Sequence, residues 1–190
     1  MKSVMGIVLS FFILSITSGQ DSLSEKKVKL SSISQFGLLV GESGESATIQ
    51  LINGIKKDKW FAGFGAGIDF YVERGVPLFI DIRRDLTNGK NALFLYADGG
   101  IYFPWLNFIQ KEQRPNSTMA PGAYYDVGLG WKLRGKNKRG FLLSAGYTAK
   151  QDKGKTTFPT WNPAITGFEN TAGYYNYKYR RLVLKVGIQL

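Results

Sequence analysis

The chain has 190 residues and a formal net charge of +11, and 44% of its residues are hydrophobic and 14% aromatic. The hydrophobic content is too high for a disordered chain and low for a bundle of membrane helices, and the length suits one domain. Cysteine and histidine are absent. Their absence removes disulfides, a Cys-ligated zinc site, a lipoprotein anchor and the most common general base, so we predict no catalytic, metal or cofactor site.

The first residues have the pattern of a secretory signal peptide, which we assign to residues 1–19. Lys2 precedes an apolar run from Val4 to Ile16, and the small residues 17–19 provide a cleavage site before Gln20. The run is short for a transmembrane helix, although an uncleaved anchor is the alternative.

The remaining chain divides into a short polar leader and one domain. Residues 20–30 are charged, and we interpret them as a leader on the periplasmic side. No later stretch approaches about 18 consecutive apolar residues, so residues 31–190 either fold in solution or cross a membrane as strands.

The stretch 60–72 alternates between two kinds of residue, which indicates a β-strand. One face is wholly apolar, and the other is rich in glycine and polar residues. Eight such segments are predicted, the first two being weaker: 33–41, 47–56, 60–72, 77–85, 92–103, 123–133, 141–150 and 181–190. An even number of strands of this length is typical of an antiparallel barrel that spans a membrane.

The polar faces carry charges of both signs, which favours a membrane barrel over a soluble one. A membrane barrel turns its apolar face to lipid, and side chains fill the narrow lumen of an eight-stranded barrel. Glycines on these faces ease strand curvature, and aromatic residues near strand ends suit interfacial girdles. The predicted lumenal charge cluster is Asp69, Asp81, Arg83, Asp85, Asp98, Asp126, Lys132, Lys150, Arg181 and Lys185.

The connections between the segments agree with this orientation. If the first strand rises from the periplasm, the periplasmic turns are 56–59, 86–91 and 134–140, all short and rich in turn-forming residues. The two longest connections, 104–121 and 151–173, then both lie outside the cell, as expected for such barrels. Basic residues concentrate in connections of this kind, so we predict no nucleic-acid partner.

On these features the chain resembles the small outer-membrane β-barrel family of Gram-negative bacteria. The resemblance rests on the N-terminal segment, IQLINGIKKDKWFAGFGAGIDFY (49–71), PLFIDIRRDL (77–86), LFLYADGGIYFPW (93–105) and the terminal strand. It implies an all-β, eight-stranded antiparallel up-and-down barrel in the bacterial outer membrane, in contact with outer-membrane lipid and lipopolysaccharide. It implies little about activity.

The last long connection is the best candidate for function. Taken as the stretch 151–177, it carries exposed aromatic residues with basic neighbours, which suit sugar stacking or a protein ligand: Phe158, Trp161, Phe168, Tyr174 and Tyr175. Four cations are candidates to contact lipopolysaccharide phosphates: Lys111, Arg114, Lys153 and Lys155. We therefore predict a non-enzymatic protein with a structural or surface-interaction role through its extracellular loops.

Two alternatives stay open at this point. One is a secreted, soluble β-barrel whose apolar faces line a pocket for a small apolar ligand. The other is an outer-membrane enzyme with a carboxylate site in its lumen, around Asp98 and Asp126. Lipid A acyltransferases and deacylases are barrels of this size that resemble enzymes with a Ser/His catalytic mechanism. This chain has no histidine, so that mechanism is not available to it in its usual form. Lumenal salt bridges are the simpler explanation of the aspartates.

Overall fold

The computed structural model describes residues 28–89, 91–105, 117–135 and 139–190. They form nine strands: β1 (Lys29–Gly41), β2 (Gly44–Lys57), β3 (Trp60–Asp69), β4 (Gly75–Asp85), β5 (Asn91–Pro104), β6 (Ser117–Ala120), β7 (Gly122–Arg134), β8 (Gly140–Asn162) and β9 (Gly167–Gln189). The predicted signal peptide, residues 1–19, lies outside the described residues, as do Lys111 and Arg114. No helix in the described part of the chain is long and apolar enough to cross a membrane.

Eight of the strands form a closed antiparallel ring. They pair in the order β1-β2-β3-β4-β5-β7-β8-β9, and β9 pairs back with β1 from Gln189 opposite Ile33 to Arg181 opposite Gly41. Closure satisfies the backbone of every ring strand without leaving a free sheet edge within the ring. The predicted all-β, eight-stranded antiparallel barrel is therefore confirmed.

Side chains alternate between the outside and the inside of this ring. In β4, Ile80 and Ile82 are about half exposed on the outside, whereas Asp81 and Arg83 are buried inside. The other ring strands follow the same alternation, so the outside is a continuous belt of large apolar side chains. Such a belt is the surface that lipid covers in a membrane barrel. The soluble-barrel alternative required these faces to line an inner pocket, and they do not.

Glycines on the inner face make room for aromatic rings from neighbouring strands. A Cβ atom at Gly65 would lie 2.3 Å from the ring of Phe79, and one at Gly130 would lie 2.2 Å from the ring of Phe94. Both rings belong to a buried aromatic cluster inside the barrel. Glycine is therefore required at both positions because an aromatic ring approaches so closely. This reason adds to the one expected from the sequence, which is that glycine eases strand curvature.

The two long connections differ from the prediction. Residues 151–173 do not form a loop, because β8 and β9 are each 23 residues long and the turn between them falls at 163–166. Within 104–121, β6 pairs with β8 at residues 153–156 and adds a short third strand there. At the start of the barrel, β1 begins at Lys29, inside the predicted leader.

Candidate functional site: a filled lumen and an extracellular hairpin arm

The ten residues of the predicted charge cluster all lie on the inner face of the barrel. Nine are buried, and Asp85 is partly exposed at the end of the barrel where β1 begins, which is the periplasmic end in the orientation predicted from the sequence. They are arranged at three levels along the barrel axis. At the periplasmic level, the Asp85 carboxylate accepts hydrogen bonds from Lys56 Nζ at 2.5 Å and Lys132 Nζ at 2.9 Å. Lys56 is a lumenal partner that the sequence analysis missed.

The central level is a row of three aspartates on three adjacent strands. Asp98 on β5 lies directly opposite both Asp81 on β4 and Asp126 on β7. Asp126 also accepts hydrogen bonds from the hydroxyl groups of Tyr96 at 2.9 Å and Tyr124 at 3.3 Å. Three carboxylates at one level repel one another unless cations or protons compensate them.

Two cations compensate this row. Arg83 donates to both carboxylate oxygens of Asp81, at 2.7 to 3.0 Å. Lys185 lies 2.6 Å from Asp126 and 3.8 Å from Asp98. The Asp98 oxygens have no hydrogen-bond partner among the described residues, so the approach of Lys185 to Asp98 is not reinforced by a hydrogen bond.

The central aspartates are the residues that a carboxylate-based enzyme would use, and they are deeply enclosed. Asp98 is 3% exposed and Asp126 is 1% exposed. A substrate does not reach them in this conformation, and Asp126 is occupied by a cation and two hydroxyl groups. The arrangement is that of paired charges filling a lumen.

The extracellular level is built around Asp69 at the end of β3. Its carboxylate lies 2.5 Å from Arg181 Nη1 and 3.5 Å from Lys150 Nζ. All three side chains are buried. Asp69 also accepts a hydrogen bond from the backbone N–H of Tyr71, which draws the following connection inward.

The connection between β3 and β4, residues 70–74, is fastened across the mouth of the barrel. Lys150 Nζ donates to the carbonyl oxygens of Tyr71 at 2.8 Å and Glu73 at 2.7 Å, and to the hydroxyl of Tyr102 at 2.7 Å. Val72, between the two bound carbonyls, has a φ of 53°, which is unfavourable for a β-branched residue. The lumen is thus filled with charges inside and covered at this side of the mouth by a strained, tightly held turn.

Beyond the rim of the barrel, β8 and β9 continue as a paired hairpin. We call residues 151–178 the hairpin arm. It contains twelve consecutive residue pairs, from Gln151 opposite Lys178 to Asn162 opposite Gly167. At about 3.3 Å per residue, the arm is roughly 40 Å long.

The inner face of the arm continues the lumenal face of the barrel and carries a column of tyrosines. The rings of Tyr175 and Tyr177 are stacked with centroids 6.0 Å apart, and those of Tyr177 and Tyr179 are 6.2 Å apart. Tyr179 then meets Tyr71 edge to face at 6.0 Å, within the mouth. Phe158 lies beside Tyr175 at the upper end, because the side chains of both approach Gly173.

The five predicted loop contacts do not form one surface. Phe158 and Tyr175 lie on the inner face. Tyr174, Trp161 and Phe168 lie on the opposite face, where Trp161 and Phe168 pack edge to face at 5.3 Å near the tip. The sequence analysis counted Tyr71 among the aromatic residues of the interfacial girdle, whereas it is buried in the mouth of the barrel. It missed Tyr177 and Tyr179, although the spacing of two residues in YNYKY (175–179) is the signal that puts three tyrosines on one face of a strand.

One titratable group of the arm has a shifted pKa. Asp152 is fully buried on the inner face, and neither of its carboxylate oxygens has a hydrogen-bond partner among the described residues. Burial, assisted by the nearby charges of Glu73 and Asp69, raises the pKa of Asp152 to about 6, although Lys150 opposes the shift.

Comparison with known proteins identifies the fold. No family model matches the chain, and no curated protein matches it. Among solved structures, the outer-membrane protein OprG from Pseudomonas aeruginosa is similar with a TM-score of 0.55 at 12% identity, over 84% of this chain and 94% of OprG. The chain has the fold of a small outer-membrane β-barrel. The predicted localisation, the bacterial outer membrane, agrees with that fold.

Proposed function

We propose that this outer-membrane barrel is non-enzymatic and acts at the cell surface by binding a saccharide chain on the inner face of its hairpin arm. The observation that carries the proposal is the column formed by Tyr175, Tyr177 and Tyr179. Tyr175 and Tyr177 are 41% and 45% exposed, so they are available to a ligand outside the barrel.

The chemistry of tyrosine suits such a ligand. The face of an aromatic ring carries partial negative charge, on which the polarised C–H groups of a sugar ring pack favourably. The phenol hydroxyl can donate to or accept from sugar hydroxyl groups. Tyrosine also has few rotatable bonds, so that ordering it on binding costs little conformational entropy. A column of such rings fits an extended chain of repeating units better than a single small molecule.

The filled lumen supports a surface role over a diffusion pore. Charged pairs occupy three levels of the barrel, and the mouth holds the turn 70–74. An eight-stranded barrel has little space left once such side chains fill it. Function is then expected where the chain projects from the membrane, which is the arm.

The experiment is binding of the purified, detergent-solubilised protein to a panel of immobilised bacterial oligosaccharides. The test variant is Tyr175→Ala with Tyr177→Ala, and the matched control is Tyr174→Ala on the opposite face of the same strand. We expect the wild-type protein and the control to bind the same oligosaccharides and the double variant to lose them. The proposal is wrong if the wild-type protein binds none, or if the control loses binding equally.

A further inference from the structure

The outer face of the arm, which the proposed saccharide site does not use, carries three exposed cations in regular order, and Arg180 continues the series just below the arm. Above the outward pair Tyr147–Leu182, the next outward pairs are Ala149–Arg180, Gln151–Lys178, Lys153–Asn176 and Lys155–Tyr174. Each of these four pairs contains one cation, and each cation is exposed. We call Lys153, Lys155, Lys178 and Arg180 the basic strip.

The two faces of the arm differ sharply in charge. The acidic residues of β8 and β9 beyond the rim, Asp152 and Glu169, both lie on the inner face with the tyrosine column. The outward positions from 149 to 161 and from 168 to 180 contain no acidic residue. The outer face therefore attracts anions without an internal counter-charge to compete for them.

The basic strip begins where the apolar belt ends. Tyr147 and Leu182, directly below Arg180, are 44% and 65% exposed on the lipid-facing wall. Successive outward positions on a strand are about 6.7 Å apart, so the strip rises about 20 Å from Arg180 to the level of Lys155. A ligand that covers this side of the protein must therefore have an apolar part against the lipid-facing barrel surface and an anionic part directly above it, against the basic strip.

We propose that the basic strip binds the phosphate groups of lipopolysaccharide whose acyl chains lie against the barrel wall below. Lipopolysaccharide joins acyl chains and phosphorylated sugars in one molecule, which matches the order of surfaces on this side of the protein. The guanidinium group of Arg180, the cation nearest the membrane, can donate two parallel hydrogen bonds to one phosphate. The three lysines above it attract further phosphates as point charges. The sequence analysis expected Lys153 and Lys155 to contact such phosphates, and the register adds Lys178 and Arg180.

The test is titration of the purified protein in non-ionic detergent with lipopolysaccharide and with the same material after enzymatic removal of its phosphates. The variant replaces the whole strip: Lys153→Gln, Lys155→Gln, Lys178→Gln and Arg180→Gln. The control makes the same change of charge at exposed positions of the periplasmic end: Lys29→Gln, Lys57→Gln, Lys59→Gln and Arg84→Gln. The different mobility of boiled and unboiled samples on a detergent gel reports that each variant is folded.

We expect the strip variant to bind phosphorylated lipopolysaccharide at least about tenfold more weakly, because it loses four exposed cations that each contribute a modest, solvent-screened attraction to phosphate. The control should bind like the wild-type protein, and removal of the phosphates should reduce wild-type binding to the level of the strip variant. The proposal is overturned if the folded strip variant binds normally, if dephosphorylation has no effect, or if equimolar inorganic phosphate displaces the lipid. Because the tyrosine column is unchanged in the strip variant, this result does not depend on the saccharide experiment.

Discussion

The ammonium group of Lys185 on β9 lies 2.6 Å from the carboxylate of Asp126 on β7 and 3.8 Å from that of Asp98 on β5. Lys185 lies 59 residues from Asp126 and 87 residues from Asp98 along the sequence, and β9 is a neighbour of neither β7 nor β5 in the ring. Lys185 is also 1% exposed. Because Lys185 is the shared counter-charge of two buried carboxylates, the stability of the barrel interior should depend strongly on this one side chain.

We predict that Lys185→Met destabilises the barrel by about 3–5 kcal/mol, because it leaves two buried carboxylates without their shared cation. The measurement is the free energy of unfolding in urea, with the protein in lipid vesicles. Adding Asp126→Asn to Lys185→Met should recover part of the loss, since it removes one uncompensated charge. An unchanged free energy in the single variant would contradict the assignment of Lys185 as the central counter-charge.

The period-two alternation predicted the eight ring strands, because a barrel with lipid outside and charges inside imposes opposite chemistry on the two faces of each strand. It also identified ten of the inward charges, although it missed Lys56 and Asp152. The pairing of those charges could not be predicted, since whether Lys185 reaches Asp126 depends on strand register and on packing across the lumen.

The hairpin arm was missed for a different reason. Both of its faces lie outside the membrane, so the apolar and polar alternation that marks a membrane strand is lost. Pro159 and Gly154 also give the sequence the composition of a loop. The arm forms because β8 and β9 keep their register beyond the rim, and β6 covers the free edge of β8 only at residues 153–156, so Pro159 needs no partner on that side.

We expect Gly65→Ala to destabilise the barrel by about 1–3 kcal/mol, because the new methyl group would overlap the ring of Phe79. Phe79 has little freedom to move, since its ring packs on that of Tyr124 at 5.5 Å. Gly99→Ala is the matched control, because a Cβ there meets no atom within 4 Å. That control should be neutral or slightly stabilising. Equal effects of the two changes in urea unfolding would show that the ring contact is unimportant.

The destabilisation caused by a charged residue on the lipid-facing belt should depend on the depth of that residue in the bilayer. Ile80, at the middle of β4 and 51% exposed, should face the centre of the bilayer. Ile80→Arg is therefore expected to destabilise the barrel by about 2–4 kcal/mol, whereas Leu133→Arg near the periplasmic end of β7 should cost about 0–1 kcal/mol. Unfolding in vesicles checks both values. If the two changes have the same effect, the position of the belt relative to the bilayer is wrong.

Asp152 makes the stability of the mouth depend on pH. Its pKa is raised to about 6 by burial in the folded barrel, whereas an aspartate in the unfolded chain has a pKa near its ordinary value of about 3.9. The folded state therefore holds this proton more tightly. Stability from the protonated group is fully present below about pH 4 and is lost as the pH rises through 6.

Asp152→Asn removes this dependence, because the amide stays neutral in both states. We predict equal free energies of unfolding for the variant and the wild-type protein at pH 4, and a more stable variant at pH 7.5. The pKa differs by about two units between the folded and unfolded states, and one unit corresponds to about 1.4 kcal/mol, so the expected gain at pH 7.5 is on the order of 3 kcal/mol. Glu169→Asn, an exposed carboxylate on the same face of the arm, controls for the general loss of a negative charge. A difference between Asp152→Asn and wild type that does not change with pH would mean that the pKa of Asp152 is the same in the folded and unfolded states, which contradicts the prediction.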